Sequence, residues 1–174
     1  MSKNLDETGL KSIVREYDLF FIDIWGVVHN GIKLYKNAVK VLEELSRNEK
    51  KFILLTNAPR PNLTVINTLK GMGLKRFSDT VFTSGEASLR FILENFNKKK
   101  FFHLGPPRDF DLFKRFENNK VINIDESDYL LCSGLFEDYE DNLDYYKTLL
   151  SKHTNKKMIC TNPDLIVDRG DRRE

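Results

Sequence analysis

Only two cysteines, Cys132 and Cys160, occur among 174 residues. Each stands inside an apolar run, and neither belongs to a CxxC or Cys/His ligand spacing. A disulfide framework and a zinc-ligand pattern are thereby excluded, and two buried free thiols in a reducing compartment are predicted. No run of about 18 apolar residues exists, and the residues after Met1 lack an apolar signal core, so no membrane span is expected and the chain reads as cytoplasmic. Charge of one sign is lacking as well. The 28 basic and 26 acidic residues leave a net charge of +2, which argues against nucleic acid as a partner. There is no internal repeat and no low-complexity linker. The length suits one domain, or two small ones sharing an interface.

The stretch from Asp18 to Val28 organises the rest. Leu19, Phe20, Phe21 and Ile22 form a continuous apolar run, the pattern of a strand covered on both faces in a parallel sheet. The run ends on Asp23, followed closely by Gly26. In open α/β sheets, ligands bind beyond the carboxyl ends of the strands. A carboxylate there can attack phosphorus or hold a hard cation, or simply cap a turn. Next comes Val27-Val28-His29-Asn30-Gly31, a loop with Asn-Gly turn chemistry able to fold over that edge. His29 is a candidate flap residue, for catalysis or for packing.

A helix is predicted over 37–48, with Ala38, Val41, Leu42 and Leu45 on one face. A second strand, Phe52 to Leu55, ends on Thr56-Asn57 and repeats the placement of Asp23. Thr56 and Asn57 can donate to an anion beside the amino terminus of the next helix, or Asn62 can merely cap that helix. The helix runs to Gly71, so residues 18–73 read as β-α-β-α, the opening of a doubly wound sheet. A leading helix is expected over 5–16. Further strands are expected at Thr80–Thr83, Phe101–Leu104, Tyr129–Cys132 and Lys157–Cys160, with a short edge strand at 121–124. Helices follow the first two of these strands, the second of them carrying Phe110, Phe113 and Phe116, and a third covers 140–151. The last residues, from Asp168, are charged and without apolar periodicity. The division falls near residue 78.

Asp23-Ile24-Trp25-Gly26-Val27-Val28-His29-Asn30-Gly31 followed by Leu55-Thr56-Asn57 resembles motifs one and two of the haloacid dehalogenase superfamily. Thr83-Ser84-Gly85-Glu86-Ala87, His103-Leu104-Gly105-Pro106, Cys132-Ser133-Gly134-Leu135 and Cys160-Thr161-Asn162-Pro163-Asp164 resemble its class IIA branch, whose large α/β cap is inserted after motif two. The resemblance implies an α/β fold: an incomplete Rossmann-like core with a parallel sheet over 1–78, and part of an α/β cap domain over 79–174. It implies a Mg²⁺-dependent phosphatase of small phosphorylated metabolites. Asp23 would be the nucleophile forming an aspartyl-phosphate and a Mg²⁺ ligand, and the Trp25 backbone carbonyl a second ligand. Thr56 and Asn57 would bind the phosphoryl group. Asp164 lies in a cap loop able to face the substrate.

Three departures qualify that picture. The superfamily's second Asp, the general acid/base, is Trp25 here. The Lys of motif three and the Gly-Asp pair of motif four have no match after Asp164, so the chain reads as truncated after the cap. A parallel sheet lacking later strands keeps an open edge and an uncovered apolar face, and a cation held by one carboxylate and one carbonyl binds weakly. A catalytically inactive fragment is therefore the alternative expectation, inert or paired with a complementing C-terminal half or a second copy. A phospho-accepting receiver domain is disfavoured, because Asp18 lies at the wrong end of the first strand to build an acidic cluster with Asp23.

Overall fold

The computed structural model describes residues 9–139, 142–164, 168–169 and 172–173. The chain divides into two compact units, one comprising Met1–Thr56, Ile66–Phe82 and Ile166–Glu174, the other Asn57–Val65 and Thr83–Leu165.

In the first unit, β1 (Leu19–Asp23), β2 (Lys51–Thr56) and β3 (Val81–Thr83) form a sheet in the order β1-β2-β3. β1 and β2 run parallel, Leu19 level with Lys51 and Asp23 level with Leu55. Between them, α1 (Lys36–Arg47) makes the crossover that parallel neighbours require. Its Leu42 and Leu45 are buried, as are Phe52 and Leu54 of β2. The predicted leading helix is not formed as such. Residues 10–16 make two 3-10 turns, Leu10–Ser12 and Val14–Glu16, and the residues up to 8 lie outside the described part.

β1 also differs from the strand covered on both faces that its apolar run predicts. Phe21 is 65% exposed, Leu19 45% and, beside them on β2, Leu55 42%. The physical reason is position, because Leu19, Phe21 and Leu55 alternate onto the sheet face opposite Ile22, which lies beside α1. Among the described residues, the sheet keeps the open edge and the uncovered apolar face anticipated from the sequence. On the other face, an apolar hollow of about 460 Å³ lies between Ile22, Val28, Tyr35 and the α1 residues Ala38, Val41 and Leu42. Val41, on the apolar face predicted for this helix, is 38% exposed there.

The second unit is built on β4 (Phe101–Leu104), β5 (Lys120–Val121), β6 (Tyr129–Cys132) and β7 (Lys157–Cys160), in the order β5-β4-β6-β7, all parallel. One face buries Phe101, Tyr129 and Leu131 against Leu89 and Ile92 of α3 (Ser84–Asn95) and against Leu112 and Phe113. The other buries Leu104 and Leu130 against Tyr146 of α4 (Leu143–Ser151). The Phe110, Phe113 and Phe116 segment is not one helix but two 3-10 stretches, Pro107–Leu112 and Lys114–Asn119, with non-helical backbone at Phe116. α3 starts at a side-chain N-cap, in which Thr83 Oγ1 accepts from the Glu86 backbone N–H at 2.9 Å. Elsewhere, α2 (Asn62–Gly71) follows the loop after β2, and Asp168–Arg169 pairs antiparallel with Arg172–Arg173.

Cys132 and Cys160 face each other in register on β6 and β7. Both are free, but they are not the two buried thiols predicted: Cys132 is half-buried and Cys160 exposed. β7 is the last strand of its sheet, so a residue at its carboxyl end stays open to water. Burial pushes the Cys132 thiol up to about 11, with Cys160 adding to the effect.

Candidate active site

The first unit carries Asp23, Trp25, His29 and Thr56. Asp23 is the last residue of β1 and exposed, while Thr56 is the last of β2 and buried. The two end neighbouring parallel strands, Asp23 level with the residue before Thr56. Beyond Asp23 the chain turns sharply. The Ile24 carbonyl accepts from the N–H groups of Val27, Val28 and His29, at 3.3, 2.8 and 3.2 Å. The Gly26 N–H donates to the His29 carbonyl at 2.8 Å, and the Trp25 ring lies edge-on to the His29 ring at 5.1 Å.

The predicted flap is a self-contained loop. Asn30 Oδ1 accepts from the backbone N–H groups of Ile32 and Lys33, at 3.1 and 3.0 Å, which is the Asn-Gly turn chemistry read from the sequence. His29 is 4% exposed, and its Nδ1 accepts from the Gly31 N–H at 2.8 Å. That bond leaves the ring proton on Nε2 in the neutral imidazole. Burial lowers its pKa, and the nearby Asp23 carboxylate opposes the shift without reversing it.

The second unit carries Asn57 and Asp164. The Asn57 side-chain amide donates to Asp164 Oδ2, and its nitrogen lies 3.4 Å from Asn162 Oδ1. Asn62, the first residue of α2, turns its side chain to the next helix. Its Oδ1 accepts from the Thr83 N–H at 2.9 Å, tying the loop after β2 to the start of α3. Thr83 Oγ1 donates to the Arg60 carbonyl at 2.5 Å. Gly85 allows this closeness, since a Cβ there would lie 2.4 Å from the Arg60 backbone nitrogen and oxygen.

Sequence reasoning missed a network behind that loop. Arg60 Nη2 lies 3.2 Å from Asp109 Oδ1, and Arg60 Nη1 lies 3.8 Å from Asp111 Oδ2. Asp109 is buried, and burial raises its pKa against hydrogen bonding from Ser133 and the charges of Arg60 and Arg108. Ser133 Oγ lies 2.9 Å from His103 Nε2. Burial, with help from Lys120, lowers His103 to about 4. The available signal was placement, since His103 lies in β4 and Ser133 directly follows β6, both near the carboxyl edge of the sheet.

Among the described residues, no group of three or more His, Cys, Asp or Glu side chains is placed to hold a metal ion. Asp23 supplies one hard oxygen donor of the kind Mg²⁺ takes, an ion that keeps several waters and is held through one or two carboxylates. Asp23 thus suits one ligand position, and the other described residues place no carboxylate cluster around it.

Parallel sheets with crossover helices, and a carboxylate ending the first strand at the carboxyl edge, define an α/β protein of the doubly wound kind. The family model for haloacid dehalogenase-like hydrolases matches residues 20–117, more than half of the chain, and the chain belongs to that family. It is similar to a haloacid dehalogenase-like hydrolase from Brucella suis, with 29% identity and a TM-score of 0.80, over 99% of this chain and 64% of that one. It is also similar to a 4-nitrophenylphosphatase from Thermotoga maritima, with 27% identity and a TM-score of 0.63, over 88% of this chain and 58% of that one. A glycerol phosphate phosphatase from Mycobacterium tuberculosis, solved with magnesium, shares the fold alone, with 19% identity and a TM-score of 0.63, over 89% of this chain and 47% of that one. The chain thus spans less than two thirds of the length of these relatives. No curated protein matches it. Among the described residues, no helix is long and apolar enough to cross a membrane.

Proposed function

We propose that this chain carries the nucleophile and the phosphoryl-binding half of a phosphatase acting on small phosphorylated metabolites. The observation that supports this best is the pairing of Asp23 and Thr56 at the ends of adjacent parallel strands, in a chain of the hydrolase family. An Asp23 carboxylate oxygen attacks phosphorus. The bond from phosphorus to the ester oxygen breaks, and an aspartyl-phosphate forms that water later hydrolyses to inorganic phosphate. The Thr56 hydroxyl and the Asn57 amide take up charge on the transferring oxygens. His29, neutral and with Nδ1 occupied by Gly31, pins the flap. Mg²⁺ dependence, with Asp23 and the Trp25 backbone carbonyl as ligands, belongs to this proposal. The cap role of residues from about 79 belongs to it too.

The test is release of phosphate from 4-nitrophenyl phosphate by the purified chain with Mg²⁺, beside Asp23→Asn and with EDTA. Release abolished by both is the expected result. Release that survives Asp23→Asn removes Asp23 as nucleophile.

The exposed apolar face of β1 and β2 favours a second reading, a module that becomes catalytic, or functions at all, only when paired. Leu19, Phe21 and Leu55 would then be covered by a complementing C-terminal half or by a second copy. No turnover from a soluble, folded chain, with activity appearing on addition of such a partner, is the outcome that selects it.

A further inference from the structure

The Asn57 amide is already engaged. Asp164 is a carboxylate and can only accept, so the group facing it is the nitrogen end of Asn57. That nitrogen has two hydrogens. One goes to Asp164 Oδ2, and the acceptor Asn162 Oδ1 lies 3.4 Å from the same atom. Asp164 is held for this contact from its own side. Its backbone N–H donates to Asn162 Oδ1 at 3.0 Å, an Asx turn closed over Pro163. Just before it, the Thr161 N–H and hydroxyl both donate to the Cys132 carbonyl, at 2.8 and 3.1 Å. The Ser84 hydroxyl donates to the Thr161 carbonyl. The loop carrying Asp164 is thus moored to β6 and to the first turn of α3.

We infer that Asp164 is a specificity-determining residue whose carboxylate competes with the substrate's phosphoryl group for the Asn57 amide. The inference rests on the reading that Asn57 serves that group. A charged acceptor makes a stronger hydrogen bond than a neutral one, so only a comparably dense anion displaces it. A phosphoryl dianion meets that condition and a neutral substrate does not. Removing the Asp164 charge frees the amide and also removes a like charge from beside the incoming anion.

The experiment is titration of the full chain with inorganic phosphate, followed by ¹H–¹⁵N NMR, for the wild type, Asp164→Asn, Asn57→Ala and the double variant. Asp164→Asn is expected to bind phosphate about tenfold more tightly, and the gain is expected to vanish in the double variant. Asp164→Ser serves as a second variant should Asp164→Asn lose its dispersed spectrum. Unchanged or weaker binding in the Asp164 variants, or a gain that persists without Asn57, overturns the inference, because Asp164 then orients Asn57 rather than competing for it. Thr56→Val separates the two levels. If binding responds to Thr56→Val and Asn57→Ala but not to Asp164, only the inference fails. If it responds to neither Thr56→Val nor Asn57→Ala, the phosphoryl-binding reading itself fails.

Discussion

Trp25 stands two residues after Asp23, where the superfamily pattern has a general acid/base. An indole N–H neither protonates a leaving oxygen nor accepts a proton from water. On the proposed reaction, then, an alkyl phosphate suffers more than an aryl phosphate, whose phenolate leaves without a proton. Trp25→Asp is expected to raise alkyl phosphate hydrolysis by about 10²-fold or more and to leave the aryl rate much less changed, as read by kcat for the two substrates. Trp25 is partly exposed, so the exchange opens no core cavity. Equal effects on both substrates would show that proton supply is not what the position controls. At this scale the placement of Asp23 and Thr56 at strand ends was legible, because each is a polar residue ending an apolar run. The pairing of Asn57 with Asp164 was not. The two lie 107 residues apart, and no local pattern encodes which loop comes to rest against which.

Among the elements, β4 and β6 hold His103 and present Ser133 from opposite sides of one strand pair. His103 is 5% exposed, and burial first and Lys120 second lower it from 6.5 to about 4. The unfolded chain therefore binds a proton between those limits that the folded chain refuses. The stability this group contributes is complete above about pH 6.5 and falls as pH drops toward 4, by up to about 3 kcal/mol. Asp109, raised by burial, acts with the opposite sign above its ordinary value of 3.8, so the His103 part is read as a difference. Urea midpoints of wild type and His103→Gln are expected to converge from pH 7 to pH 4.5. Parallel curves would remove His103 as the source. Strands and long helices were legible from apolar runs and helical spacing. The Phe110–Phe116 segment was not, because three Phe at a spacing of three fit a 3-10 path as well as an α-helix.

For the molecule as a whole, two parallel sheets were foreseeable, and so was the uncovered face. That Leu19 and Phe21 would face water rather than core could not follow from their apolar character alone. An edge strand with exposed Phe is a template for association. Phe21→Lys is expected to shift sedimentation profiles toward monomer at high protein concentration and to change the urea midpoint little, since Phe21 is 65% exposed already. Profiles that coincide with wild type would show that the β1–β2 face does not drive self-contact.

The register of Cys132 and Cys160 has a use of its own. The chain has two thiols, and the fold sets them side by side on strands joined only through the long excursion that contains α4. They make an internal gauge of that strand pair. A reagent that bridges neighbouring thiols joins them only while β6 and β7 lie together, and a reagent that caps single thiols takes the exposed Cys160 first and the half-buried Cys132 faster once the strands have parted. No label needs to be engineered to follow this half of the molecule as it folds.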